Sequence, residues 1–360
     1  MDYILNGQAH GGVATTLLGN DFDIAALRPW VGKDGRSYIA RNQGGKLIAT
    51  PTTNTATLRH EEWKILDEAI VAAAKERLRI VADLRGAGLT FNIPNGMGKT
   101  VLETETVSDI TPATVSMDPA RQGEADRPEF DLTNLPLPVI HKDFFFSARQ
   151  IAASRNIGSS IDTTTGQLAA RRVSEAAEQL VLGIPAVVGT IVYGGGTIYG
   201  LTNFPHRITR LLTAPTAVGW TPATCVTEVL AMRQDCENAF HYGPWILYSS
   251  PAWDQYLDAD YSTAKGDNTL RQRLAAINGI QDIRTADYLG STKFIFLLVQ
   301  QTSDVIRLVI GMDITTVQWE TLGGMRLNFK VMAIMVPQLR SDFNGNAGIV
   351  HGSATAGDLL

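Results

Sequence analysis

A mixed α+β fold is what this chain predicts, on three observations. Apolar residues recur every three to four positions across 59–85 and 161–184, the spacing of a one-sided helix. Between 280 and 340, runs rich in Ile, Val, Phe and Leu follow one another with strand composition. By contrast, residues 1–58 and 89–135 carry few large apolar side chains and many turn formers. Helices interrupting one or more mainly antiparallel sheets satisfy the first two, and two long segments poor in core residues accompany them.

The bulk numbers narrow the class. With 360 residues, 44% hydrophobic and 19% charged, the chain is globular and long enough for one large or two modest domains. No apolar run reaches the ~18 residues of a membrane span. The opening "MDYILNGQAHGG" has no basic region followed by an apolar core, so no secretory signal is expected. Cys225 and Cys236 would lie about 16 Å apart on a helix at ~1.5 Å per residue, too far for a disulfide, which fits a reducing cytoplasm. The net charge is −5, and Lys and Arg form neither a block nor an alternation with aromatics. That argues against a nucleic-acid clamp, which needs a basic stripe.

Taken in order, the elements read as follows. Residues 1–58 cannot build a core alone. They form an arm that lies on something else, or disorder, although Tyr38-Ile39-Ala40 and Leu47-Ile48-Ala49 flank "RNQGGK" in a hairpin pattern. The helix over 59–85 carries Trp63, Leu66, Ile70, Ala74, Leu78 and Val81 on one face. Glu61 and Glu62 sit at its start and Lys75, Arg77 and Arg79 towards its end, matching the dipole, and Gly86 and Gly88 stop it. Residues 89–135 are too long and too poor in core residues for a plain loop, and "TVLETETVSDITPATV" suits a projecting two-stranded loop. Val139–Phe146 is strand-like, and Ser147 to Ile151 opens a short helix. The helix over 161–184 places Ala169, Val173, Ala176, Leu180 and Ile184 on one face and the Arg171–Glu175 pair on the wet side. Gly183 and Pro185 end it.

"YGGGTIYGLTNFPHR" reads as a loop hairpin, and 222–241 as a helix. "GPWILYSSPAWDQYLDADY" gives a buried strand, a turn and a helix starting at Ser250-Pro251, and "TLRQRLAAINGI" a helix closed by Asn278-Gly279. Strands follow in "IQDIRTADYLG", "KFIFLLVQQ", "VIRLVIGMDITTVQWE" and "MRLNFKVMAIMVPQLR", and 346–360 is expected as a small, flexible tail.

The search for chemistry assigns no catalytic, cofactor or metal residue. "IPNGMGKT" ends like a phosphate-binding loop, but Ile93 stands where the first glycine is needed and β-type residues follow where a helix must start. It reads instead as a flexible loop segment that contacts a neighbour. Gly194 and Gly196 lack the third glycine of a dinucleotide fingerprint, Tyr199 occupying the place. The six histidines fall at no metal-ligand spacing, and no H-E-x-x-H, C-x-x-C or G-x-S-x-G occurs. Asp254, Asp258 and Asp260 cluster without a calcium loop and read as a solvated helix edge. A dispersed enzymatic site remains as a separate class, and size-exclusion chromatography would reveal it as a small oligomer.

Several stretches together resemble a known family. "LRHEEWKILDEAIVAAAKERLRIVADLRG" is similar to the early helix of encapsulin shell proteins, and "FDLTNLPLPVIHKDFFFSARQI" to the strand and helix start before their spine helix. "GLTNF", "GPWILYSSPAWDQYL" and "IRTADYLGSTKFIFLLVQQTSDVIRLVIGMDITTVQWE" resemble their axial domain, and "LNFKVMAIMVPQLR" the returning strand. The likeness spans about 59–352 and rests on element order rather than a sharp motif. Encapsulins share the HK-97-like fold of tailed-phage major capsid proteins. Here 58 residues precede the first helix and the 89–135 loop is long, which resembles the phage branch, where both reach across neighbours.

The resemblance implies an N-terminal arm 1–58, first helix 59–88, extended loop 89–135, peripheral domain 136–190 plus 320–345 with the spine helix, axial domain 191–319 and tail 346–360. It implies inter-subunit contacts through Tyr38 and Ile39 in the arm and Lys99, Glu103, Glu105, Arg127 and Glu129 in the loop. Lys99 is the only lysine between 90 and 140, hence the only loop candidate for the covalent crosslink that one phage relative makes. The partners implied are the chain itself in pentamers and hexamers, portal and scaffolding proteins, a decoration protein, and packaged double-stranded DNA without sequence-specific contact. The negative net charge suits such a container. The particle would be a virion capsid assembled in the host cytoplasm, with an encapsulin compartment holding a cargo enzyme as the alternative.

Overall fold

The structure is a computed structural model and describes residues 27–43, 46–52, 58–75, 79–108, 113, 115, 127–157, 163–184, 190–261, 268–323, 325–342 and 344–359. Strands β1 (Trp30–Val31), β2 (Ser37–Gln43) and β3 (Lys46–Pro51) make a small antiparallel sheet. The expected hairpin is therefore present as β2–β3. The sheet lies on its own chain: Val31 N–H donates to the Leu58 carbonyl at 2.9 Å, and the Trp63 indole donates to the Pro29 carbonyl at 3.0 Å.

The single helix expected over 59–85 is described as α1 (His60–Lys75) and α2 (Arg79–Gly86), with 76–78 and the side chains of Ala74 and Leu78 outside the described residues. Trp63, Leu66, Ile70 and Val81 are buried, as the periodicity requires. Gly88 ends the turn at φ +72, a conformation that favours glycine. Then come β4 (Thr90–Asn92), β5 (Val101–Val107), β6 (Phe130–Pro136) and β7 (Ile140–Ser147). The short helix α3 (Ala148–Ile157) starts with a reciprocal Ser147–Gln150 cap, and α4 (Thr164–Leu182) ends at Gly183, φ +77.

The long α4 packs on the four-stranded sheet β4-β14-β15-β7, where β14 is Ile306–Thr321 and β15 Arg326–Leu339. Phe144 stacks on Phe329 at 5.2 Å and Trp63 meets the same ring edge-on at 6.0 Å, filling the space under the helices. The buried face of α4 is wider than expected: Ala169, Val173 and Leu180 are buried as the spacing predicts, Ala176 and Ile184 are half-buried, and Ala170, Ala177 and Val181 are buried as well. Glu175, expected on the wet side, is only 7% exposed. Burial raises its pKa, but hydrogen bonds from Arg171 (2.7 Å) and Arg172 (2.8 Å) outweigh burial, and the net shift is downward.

After the hairpin β8 (Val192–Tyr193) and β9 (Gly196–Thr197), a five-stranded sheet runs in the order β10-β16-β13-β11-β12. Its strands are β10 (Ile208–Leu211), β11 (Trp245–Ser249), β12 (Ile280–Thr285), β13 (Ile295–Gln300) and β16 (Ile349–Ser353). Helices α5 (Pro222–Asn238), α6 (Asp254–Leu257) and α7 (Leu270–Ala275) connect them. Alternate residues of β13 face two different cores. Ile295, Leu297 and Val299 join the large core shared with α4, and Phe296 and Leu298 join a second one with α5 and α7. Burial on both faces explains why "IFLLV" shows no polar alternation.

The pairing is mainly antiparallel, as expected: among the described strands eight pairs are antiparallel and three, β10–β16, β11–β12 and β4–β14, are parallel. Two expectations fail. The tail 346–360 is not flexible through its length: Ile349–Ser353 is a fully buried strand between β10 and β13, and Arg207 donates to the Leu359 carbonyl at 2.9 Å. The boundary at 319/320 falls inside β14, which pairs with β15 from Ile306 to Thr321 across irregularities between Ile310 and Thr315.

Candidate assembly surfaces

The described part of the long loop is a ribbon, and the fold anchors it at one end. Past β4, the 3-10 turn Gly96–Gly98 packs on the neighbouring strand so closely that a Cβ on Gly96 would lie 2.3 Å from the Gly311 carbonyl oxygen. Strand β5 rather than a helix follows Lys99, as read for "IPNGMGKT", and Lys99 is exposed; the reading of the whole stretch as a flexible segment contacting a neighbour is corrected, because Ile93 and Gly96 are buried in their own chain. Strand β5 then pairs antiparallel with β6, Val101 opposite Pro136 through Val107 opposite Phe130. The expected two-stranded projection exists, but its second strand is "FDLTNLP", not the end of "TVLETETVSDITPATV", whose last residues lie mostly outside the described ones. Leu137 N–H donates to the Thr100 carbonyl (2.8 Å), the Asn134 amide to the Gly194 carbonyl (2.8 Å), and the Gln338 amide to Thr104 Oγ1 (3.3 Å).

Residues directly opposite in an antiparallel pair share a face. One face of the ribbon therefore carries Val107 with Phe130, Glu105 with Leu132, and Glu103 with Asn134. Phe130 is 65% and Leu132 62% exposed, so the outer end of this face is apolar and bordered by carboxylates. Contiguous apolar surface that the described residues of its own chain leave uncovered marks an interaction site. An open groove of about 430 Å³ runs along the ribbon, lined by Thr104, Leu132, Tyr199 and His206 among others. Another, of about 460 Å³, lies between the small sheet and α1, beside Trp30, His60 and Trp63. Leu47 and Ile48 are exposed on β3, an edge strand.

Inside the body, ionisable groups tie the elements together. Glu178 on α4 is 2% exposed, and its carboxylate accepts from Ile80 N–H (2.7 Å) and Val81 N–H (3.3 Å), capping α2. Burial pushes its pKa up to about 7. Asp83 on α2 accepts from the Tyr248 hydroxyl at 3.0 Å and pairs with Arg284. His351 sits in the middle of β16, where burial, then the Arg207 charge, lower it to about 4. Asp254 and Asp258, expected as a solvated edge, both bind the Arg271 guanidinium at 3.0 and 2.8 Å. Cys225 and Cys236 are free and buried on α5, where burial raises both thiols to about 12. Among the described residues, no His, Cys, Asp or Glu cluster could hold a metal.

The seven residues singled out in the sequence fall in different settings. Glu103 and Glu105 project from β5, and Arg127 and Glu129 are exposed just before β6, where Ser108 N–H donates to the Glu129 carbonyl and Glu129 N–H donates to the Ser108 hydroxyl, both at 2.9 Å. Tyr38 is half-buried and donates to Asp34 at 2.7 Å. Ile39 is 1% exposed, so its side chain is spent inside its own chain and offers nothing to a neighbour. The apolar residues Val107, Phe130 and Leu132 were not singled out. Their signal was the period-two alternation of "FDLTNLP", which by itself does not tell a buried face from an uncovered one.

Comparison with known proteins fits this architecture. The chain is 23% identical over 294 residues to the type 1 encapsulin shell protein EncA of Myxococcus xanthus, covering 79% of this chain and 90% of that protein. A virus-like particle from Pyrococcus furiosus superposes with a TM-score of 0.55 at 16% identity, over 81% of this chain and 99% of the other. The capsid of Myoviridae phage XM1 superposes with a TM-score of 0.56 at 9% identity, over 76% and 91%. The fold is the α+β, HK-97-like shell fold. A family model of unknown function, DUF6260, matches residues 52–352, and the chain belongs to that family.

Proposed function

We propose that this chain is the major capsid protein of a tailed bacteriophage, assembling with copies of itself into an icosahedral shell around the genome. The observation that carries the reading is the ribbon: a rigidly rooted pair of strands with an apolar face that nothing described in its own chain covers. Burying a side chain such as Phe130 or Leu132 stabilises by about 1.5–3 kcal/mol each, so a neighbour supplies what the isolated chain lacks. Repetition by symmetry then makes many modest contacts into a stable particle. In this reading the four-stranded sheet with α4 forms the peripheral domain, the five-stranded sheet the axial domain, and the segment before α1 the arm. Portal and scaffolding proteins, a decoration protein and double-stranded DNA are the further partners, and assembly takes place in the host cytoplasm.

A second reading, an encapsulin-type compartment around a cargo enzyme, is favoured by the likeness to EncA. The 58 residues before the first helix and the length of the 89–135 loop favour the phage. Electron microscopy of purified particles, with nuclease digestion and analysis of the contents, separates the two. Packaged DNA and a portal vertex support the phage shell, and a packaged protein supports the compartment. A small oligomer on size exclusion under all conditions sinks both.

A further inference from the structure

Two arginines beside the root of the ribbon share one face of the sheet without a counter-charge. On β14, Arg307 lies opposite Gln338 of β15, and its Nε–H donates to the Gln338 amide oxygen. Its guanidinium lies over the Phe91 ring, 4.5 Å from the centroid. Arg340 N–H carries the ladder one step past β15, to the Val305 carbonyl at 2.9 Å. That places Arg340 two residues beyond Gln338, on the same face. Elsewhere in the body Arg85, Arg210, Arg271 and Arg284 each pair with an aspartate. Arg307 and Arg340 pair with no carboxylate among the described residues. Burial, then the Arg340 charge, lower the pKa of Arg307, and no carboxylate opposes them. Two like charges held together in a half-dry place cost free energy until an anion joins them.

A place for that anion adjoins them. Gln338, Arg340 and Ser341 line the groove of about 430 Å³ between ribbon and body, and Tyr199 and Phe204 give it an apolar wall. The volume is that of a small-molecule site, which typically spans roughly 300–1,000 Å³. Guanidinium forks match the oxygens of a phosphate, and hydroxyls such as that of Ser341 add neutral donors. A long polyanion fits poorly. Glu105 is the one carboxylate among the lining residues, and Lys and Arg form no stripe along the chain.

We infer that Arg307 and Arg340 hold a small phosphate-class oxyanion in this groove, with Gln338 and Phe91 fixing the Arg307 guanidinium and Glu105 limiting the charge the groove accepts. The Gln338 amide also donates to Thr104 Oγ1, so the site sits on the residue that ties the ribbon to the body. It needs nothing from the shell reading, and stands or falls apart from it.

The test is the melting temperature of the full chain against inorganic phosphate, with potassium chloride holding the ionic strength constant. Wild type is expected to gain stability with a half-effect near 1 mM, about what two charge-assisted contacts supply. Arg340→Gln is expected to weaken that response at least tenfold, and Glu105→Gln to strengthen it about threefold. In chloride alone, Arg340→Gln is expected to melt no lower than wild type, because one of two crowded like charges is gone. Phenyl phosphate distinguishes the source: a half-effect below that of inorganic phosphate assigns the apolar wall to an organic ester, and an equal one assigns the site to free phosphate. Either supports the site. No response by about 10 mM phosphate, an equal response in Arg340→Gln, or a lower melting temperature of that variant in chloride overturns it. A short DNA duplex that binds more tightly than phosphate overturns the small-ligand assignment.

Discussion

Glu178 and Ile80 join two helices that are 98 positions apart in the chain: the buried carboxylate on α4 accepts the Ile80 backbone N–H of α2 at 2.7 Å. Burial raises this carboxyl from 4.5 to about 7, so the folded chain holds a proton that the unfolded chain has released between those values. The stabilisation is fully present below pH 4.5 and lost as pH rises through 7, by about 3 kcal/mol at ~1.4 kcal/mol per unit. Glu178→Gln keeps an acceptor for Ile80 and removes the titration. Its melting temperature, measured at pH 5 and pH 8, is expected to change less than that of wild type. Parallel shifts in the two proteins would refute the assignment.

His351 works in the opposite sense. Its folded pKa of about 4 lies below the ordinary 6.5, so its contribution is present above 6.5 and is lost as pH falls through 4. Protonation then places a charge in the middle of the five-stranded sheet. Hydrogen exchange at pH 4.5 is expected to speed up in β16 and β13 before it does in β14 and β15. His351→Leu is expected to remove that difference. Uniform acceleration across both sheets counts against it.

Gly96 and Gly311 form a close backbone crossing, and a methyl on Gly96 collides with main chain rather than with a movable side chain. Gly96→Ala is expected to cost about 1–3 kcal/mol, the range for overpacking. Gly98→Ala meets only the Asn95 side chain and is expected to cost less. Urea midpoints at constant slope decide between them.

Leu102 and Leu135 face each other at the foot of the ribbon. Replacing 103–134 by an Asn-Gly turn closes the hairpin at that pair, since two-residue turns of this kind join antiparallel strands. The shortened chain is expected to keep its melting temperature within a few degrees and to form no particles. Normal particles from it would show that the ribbon is dispensable.

Much of the fold was legible where local pattern and burial agree. The face of α1 carrying Trp63, Leu66 and Ile70 could be read directly because one buried side imposes a period on the sequence, the β2–β3 hairpin from its turn, and the strands over 280–340 from runs of β-branched and aromatic residues. The candidate surface was half legible. Glu103, Glu105, Arg127 and Glu129 are exposed, as charge and turn content suggested, but Ile39 is buried under its own sheet. Whether an apolar strand residue is covered depends on what packs over it, and a period of two cannot say.

By itself the sequence determined which segments are helices, which are strands, and which lack the apolar side chains to make a core; these are local properties, set by residue spacing and backbone preference. Only the tertiary structure decided that the modest run Ile349–Ser353 is a central strand, paired with residues 208–211 on one side and 295–299 on the other. It also decided that β5 takes its partner from the far end of a long loop, and that the carboxylate of Glu178 caps a helix from another part of the chain. The physical reason is common to all three. Strand pairing and helix capping satisfy backbone groups with whatever partner the packed core brings near, and that choice is written in no single segment.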